Sequence, residues 1–173
     1  MFINLESFKL YYVHTKENLI RVSAEIKNGL LVISGHDLGD APKEFFGLDE
    51  YEYWYKFNRA NTDKLIRLLL NKDSKTLLFT EEDIALRSDL LNAFDDIDDL
   101  KTKSINMGMN ENMVNHLVTM FSVKDSEFEV VTEKEIKDII LEKFGGENSC
   151  EKMRSLCSEN DIEFDFSSWV TGD

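Results

Sequence analysis

The chain has one proline, Pro42, two cysteines, Cys150 and Cys157, and far fewer basic than acidic side chains, 20 against 34. No apolar run approaches the roughly 20 residues that cross a bilayer. The opening Met1-Phe2-Ile3-Asn4-Leu5-Glu6 has no basic region followed by an apolar stretch, so neither export nor membrane insertion is expected. The two cysteines lie seven apart in a segment with helical spacing. Their Cα atoms would be about 10 Å apart, beyond disulfide reach, which predicts two reduced thiols and a cytoplasmic location. The scarcity of proline with abundant Asn, Lys and Ile matches the composition of AT-rich bacterial genes. The deficit of basic residues is also unevenly placed. Residues 1–80 carry 11 basic and 11 acidic side chains, whereas residues 81–173 carry 9 and 23, so the whole net charge of −14 falls in the second half. Such a field attracts cationic partners and repels nucleic acid and anionic membranes, which excludes DNA or RNA binding.

What is present suffices for a folded core, since 42% of the 173 residues are hydrophobic and 11% aromatic. The expectation is a single α+β domain over 1–173, with a sheet-rich half at 1–80 and an acidic helical half at 81–173. Ile20, Val22, Ala24 and Ile26 alternate with Arg21, Ser23, Glu25 and Lys27, the period-two pattern of a strand with one buried face. Phe8, Leu10 and Tyr12 predict the strand before it, and Leu30 to Ser34 the strand after it, joined through a tight turn at Asn28-Gly29. The segment from Gly35 to Pro42 is rich in turn formers and predicts a connection, followed by a helical turn at Lys43–Phe46. Tyr51, Tyr53, Tyr55 and Phe57 form one face of a fourth strand, with Trp54 on the other. A helix capped by Asn61 follows, running through Leu65, Ile66 and Leu70.

The second half is mainly helical. Thr80-Glu81-Glu82-Asp83 reads as a capping box opening a helix over 81–97, with Ile84, Leu91 and Phe94 on one face. Residues 98–110 show no clear period. Met113, Leu117, Met120 and Phe121 mark another helix, and Thr132-Glu133-Lys134-Glu135 opens one that stops at Gly145-Gly146. Cys150, Met153 and Cys157 continue helically, and Ile162, Phe164 and Phe166 alternate as a last strand. The architecture expected is an N-terminal antiparallel β-meander sheet packed by helices of the C-terminal half, with a C-terminal strand returning to a sheet edge.

Three features are candidate sites. Residues 81–99 hold eight acids against Arg87 alone. Glu81, Glu82, Asp83, Asp95, Asp96, Asp98 and Asp99 could form a landing surface for a basic protein, or simply a solvated helix face. The run lacks the central glycine of a calcium loop, so no metal is expected there. The loop Ser34-Gly35-His36-Asp37-Leu38-Gly39-Asp40 offers His36, Asp37 and Asp40 as a ligand loop or acid–base pair, although adjacent residues of a strand would face apart. It has neither a Walker lysine nor dinucleotide-binding spacing. His14 and His116 have no thiol or acid at ligand spacing, no nucleophile elbow occurs, and no cofactor is expected. Trp54, between Glu52 and Lys56, is either an interface anchor or core.

The order Ser34-Gly35-His36-Asp37-Leu38-Gly39, Glu44-Phe45-Phe46-Gly47, Tyr51-Glu52-Tyr53-Trp54-Tyr55, the Leu-rich helix after Asn61, and Ile162-Glu163-Phe164-Asp165-Phe166 resembles small acidic uncharacterised bacterial proteins. Some of these are similar to immunity proteins of polymorphic toxin systems. The resemblance covers the two ends of the chain better than 72–131. It implies a non-enzymatic protein that binds and masks a basic toxin domain, a nuclease being the sharpest case. The alternatives are a small enzyme or ligand-binding domain using His36–Asp40, and a structural protein that dimerises through an edge strand.

Overall fold

The computed structural model describes residues 3–73 and 76–171. Strands β1 (Leu5–His14), β2 (Asn18–Lys27) and β3 (Leu30–Gly39) lead into helix α1 (Asp40–Phe46), strand β4 (Glu50–Lys56) and helix α2 (Arg59–Leu69). Strand β5 (Leu77–Phe79), helices α3 (Glu81–Ala93), α4 (Ile97–Asn106) and α5 (Glu111–Ser122), and strand β6 (Phe128–Val130) follow. Helices α6 (Glu133–Phe144) and α7 (Ser149–Glu159) and strand β7 (Asp165–Thr171) complete the chain. The fold is α+β, and it divides into two compact units, one over 73–132 and one built from 2–72 with 133–173. The acidic half of the sequence is therefore shared between them, with 81–132 in the first and 133–173 in the second.

The larger unit is an antiparallel sheet in the order β1-β2-β3-β4-β7, so the C-terminal strand returns to the edge beside β4. Asn28 and Gly29 both take positive φ, 53° and 74°, closing the β2–β3 hairpin in the backbone conformation that pairing of tightly joined strands favours. On one face Ala24, Ile33 and Tyr55 stand in a row across β2, β3 and β4, and Ile26 and Leu31 in another. Helices α2 and α6 contact this side, with Leu65, Ile66, Ile136, Ile140 and Phe144 buried. Each such side chain contributes about 1.5–3 kcal/mol by leaving water.

Four expectations for this unit change. The stretch from Gly35 to Gly39 is strand rather than connection, because each residue there pairs with β2, and Gly35–Leu38 pair with β4 as well. Two-sided cross-strand pairing outweighs the local turn preference of Gly, His and Asp. The chain turns only at Gly39, whose φ is +105° and whose missing Cβ would lie 1.9 Å from the Glu17 carbonyl oxygen. Tyr12 does not share a face with Phe8 and Leu10. An irregularity between Lys9 and Tyr11 shifts the register, so Tyr11 pairs with Val22 and Tyr12 turns outward opposite Arg21. The cap of α2 is Asn58, whose side chain accepts from the Asn61 N–H at 2.9 Å, and the last strand runs over 165–171 rather than 162–166.

In the 73–132 unit the capping box is present. The Thr80 hydroxyl accepts from the Asp83 N–H at 3.2 Å, and Asp83 Oδ2 accepts from the Thr80 N–H at 2.9 Å. This cap sets the helix register, so Asp83 and Leu90, seven residues apart, face inward, and Leu91, expected inside, is 45% exposed. Helix α3 ends at Ala93 rather than 97 because Asp96 caps a new helix, its Oδ1 accepting from the Asp99 N–H at 2.8 Å. That helix, α4, occupies the stretch without a sequence period. It buries Leu100 with Phe79, Leu90, Leu117, Met120 and Val123 in one core. Val114 rather than Met113 faces inward on α5. Strands β5 and β6 form a two-stranded parallel pair, with Phe79 stacked on Phe128 at 4.8 Å.

Candidate functional site

The acids of 81–99 are unequal once placed. Asp83 is buried in its cap, Asp96 caps α4 and Asp99 pairs with Lys103 at 2.8 Å. Glu81 and Glu82 are exposed at the start of α3, Asp89 along it, and Asp95, Asp96 and Asp98 where α3 passes to α4. The lone cation of the stretch is turned inward. Arg87 donates to the Val123 carbonyl at 2.8 Å, meets Asp125 at 3.1 Å and lies over the Phe128 ring at 5.6 Å. The exterior of α3 is thus anionic at both ends, with Leu86 and Leu91 exposed between. A 13-residue helix is about 20 Å long, more than two Debye lengths at physiological salt, so the charges at its two ends are largely screened from one another.

His36, Asp37 and Asp40 do not form a common site. Adjacent residues of β3 face apart, so His36 lies on the sheet face opposite α2 and α6 and Asp37 on the helix side, while Asp40 begins α1 and is exposed. The open face is built in rows. Tyr12, Arg21, His36, Glu52 and Trp169 stand across the five strands in one row, and Lys9, Ser23, Ser34, Trp54 and Ser167 in the next. Ser23 and Ser34 share a hydrogen bond at 3.0 Å. Trp54 is half-buried on this face, and Trp169 and Tyr12 are about half exposed. His36 Nε2 lies 2.8 Å from Glu50 Oε1 and 3.9 Å from Glu52 Oε1. Sequence reading missed Glu50 and Glu52, because ending the third strand at Ser34 hid the β3–β4 register that brings them to His36.

On the helix side the Tyr53 ring lies over Gly35, where a Cβ would fall 1.9 Å from Tyr53 Cζ. The Cys150 thiol lies 3.9 Å from the Tyr53 hydroxyl, beside a hollow of about 430 Å³ also lined by Tyr11, Val22 and Arg154. Burial raises the Cys150 thiol above its ordinary value despite its place in the first turn of α7, and it raises the Tyr53 phenol further. Both groups are held neutral, the reverse of an activated nucleophile. Burial also raises the Asp37 carboxyl from 3.8 to about 6, with the neighbouring His36 opposing the shift, and no described residue hydrogen-bonds its buried Oδ1.

The Asp37 shift has a pH consequence. The folded protein holds this proton more tightly than the unfolded chain, so the contribution of Asp37 to stability is largest below pH 4 and falls as pH rises through about 6. Above that the ionised carboxylate is a constant cost. Asp37→Asn is expected to stabilise the sheet unit at pH 7.5 by about 1 kcal/mol, a figure reduced for partial exposure of the group. At pH 4 the gain should shrink toward zero. Urea midpoints at the two pH values check this, and an equal gain at both would show that the shift is absent.

No family model, curated protein or solved structure matches the chain.

Proposed function

We propose that the chain is a non-enzymatic protein-binding domain, an immunity-like inhibitor that masks a basic toxin domain or other cationic protein on the exterior of α3 and the α3–α4 junction. The observation carrying this reading is the inward turn of Arg87, which leaves Glu81, Glu82, Asp89, Asp95, Asp96 and Asp98 exposed along that exterior, while Lys103 at the junction is held by Asp99. The 73–132 segment as a whole has 13 acidic and five basic residues. Two acidic ends about 20 Å apart with exposed Leu86 and Leu91 between them match the width of a protein partner, since an interface of ordinary size covers about 800 Å² per side. A toxin that grips nucleic acid must be basic, and anions displayed here would compete for the same surface.

Cys150 and Cys157 are free thiols and no helix among the described residues is long and apolar enough to cross a membrane, which supports a cytoplasmic setting. The alternative of acid–base chemistry at His36 and Asp37 loses its geometry, because the two side chains face opposite sides of the sheet.

The test is whether a neighbouring gene encodes a toxic domain that the chain neutralises on co-expression. Wild-type chain should restore growth. A variant carrying Glu81→Lys, Glu82→Lys, Asp95→Lys and Asp98→Lys should not, although it folds. Asp96 and Asp99 are spared because Asp96 caps α4 and Asp99 pairs within it. Protection by the variant equal to wild type, or no protection by either, refutes the reading.

A further inference from the structure

We propose that His36, Glu50 and Glu52 on the open face of the sheet form a binding site for a first-row divalent transition metal of the zinc class. The three residues offer one imidazole nitrogen and two carboxylate oxygens, all within 4.8 Å of one another. A tetrahedral zinc with bonds of about 2.0–2.1 Å places its ligand atoms about 3.4 Å apart. The distances from His36 Nε2 to Glu50 and Glu52, 2.8 and 3.9 Å, bracket that edge length. Rotamer adjustment of the three side chains would close the set around an ion, and water would fill the fourth position.

The scaffold holds these ligands for reasons that lie in the sheet. His36 and Glu52 are direct cross-strand partners, and Glu50 lies two residues before Glu52 on the same face of β4. Strands β3 and β4 are both interior, each paired on two sides, so register slip is blocked. All three side chains are about one-third exposed, wet enough to admit an ion and dry enough that two carboxylates at one imidazole repel each other. A divalent cation offsets that repulsion, and in taking the site it replaces the His36–Glu50 hydrogen bond. One imidazole with two carboxylates favours zinc, cobalt or nickel over calcium or magnesium, which prefer all-oxygen sets. The opposing charge is Arg21, which stands across the strand from His36 and lines the same small hollow.

The inference is independent of the partner proposed above, since every ligand lies in the sheet unit and the ion is titrated with no partner present. Isothermal titration of the full chain with zinc chloride, repeated with cobalt chloride to read the visible bands of four-coordinate Co²⁺, tests it. One ion should bind per chain, with Glu50→Gln and Glu52→Gln each weakening it at least tenfold and His36→Ala abolishing it. His36→Gln serves as a second variant should the alanine protein fail to fold. Arg21→Gln should bind more tightly, and His14→Ala should bind as wild type does. Absence of one-to-one uptake, or uptake unchanged in folded His36→Gln and Glu52→Gln proteins, overturns the proposal and leaves only diffuse attraction to an acidic surface.

Discussion

Gly35→Ala is expected to destabilise the sheet unit by about 1–3 kcal/mol, the usual range for a methyl forced into a filled site. The added Cβ would fall 1.9 Å from Tyr53 Cζ and 2.3 Å from its hydroxyl oxygen, distances at which the ring must move. The ring is poorly placed to do so, because it packs between Tyr51 and Tyr55, at 5.3 and 6.0 Å, and faces Cys150. A flexible side chain would swing aside cheaply, whereas a tyrosine wedged among aromatics drags its neighbours with it. Tyr53→Ala should itself be destabilising through lost burial, yet the double variant should lose less than the two single losses combined. Urea unfolding followed by tryptophan fluorescence reads this directly, since Trp54 and Trp169 are the only tryptophans and both lie on the sheet. Simple additivity would show that the ring does not depend on the bare glycine.

Leu100→Ala should have the larger effect, about 3–5 kcal/mol, on the 73–132 unit. Leu100 is fully buried at the centre of that core, among Leu90, Leu117 and Met120. The segment is only 60 residues long, and a core of that size has little surplus with which to absorb a cavity. Hydrogen exchange read peptide by peptide localises the change. Amides of α3, α4 and α5 should exchange at least about 100-fold faster, the equivalent of about 3 kcal/mol in opening free energy. Unchanged exchange there would mean that Leu100 is not the keystone its burial implies.

Features whose signal is local were legible in the sequence. The alternation of β2, the Asn28-Gly29 turn and the Thr80–Asp83 box each depend on a few neighbouring residues, and each appears in the structure. Features decided by distant residues were not. Gly35 to Gly39 look like a turn until β2 and β4 pair with them. The break between α3 and α4 depends on Asp96 taking a capping role within a run of identical charges, where composition cannot distinguish it from Asp95. Strands β5 and β6, three residues each, are too short to show a period. The same limit divides the candidate sites. The acidic run was visible as composition, but its sorting into exposed acids and structural caps was not. The meeting of His36 with Glu50 and Glu52 needed a register that only the folded sheet supplies.

The claim that the α3 exterior is the contact surface is tested most directly by equilibrium affinity for the toxic domain that co-expression identifies, measured across a salt series. Wild-type affinity should fall steeply as salt rises, and the variant with lysine at positions 81, 82, 95 and 98 should bind at least about 100-fold more weakly with a flatter salt dependence. Equal affinity and equal salt slope for the two proteins would contradict the account.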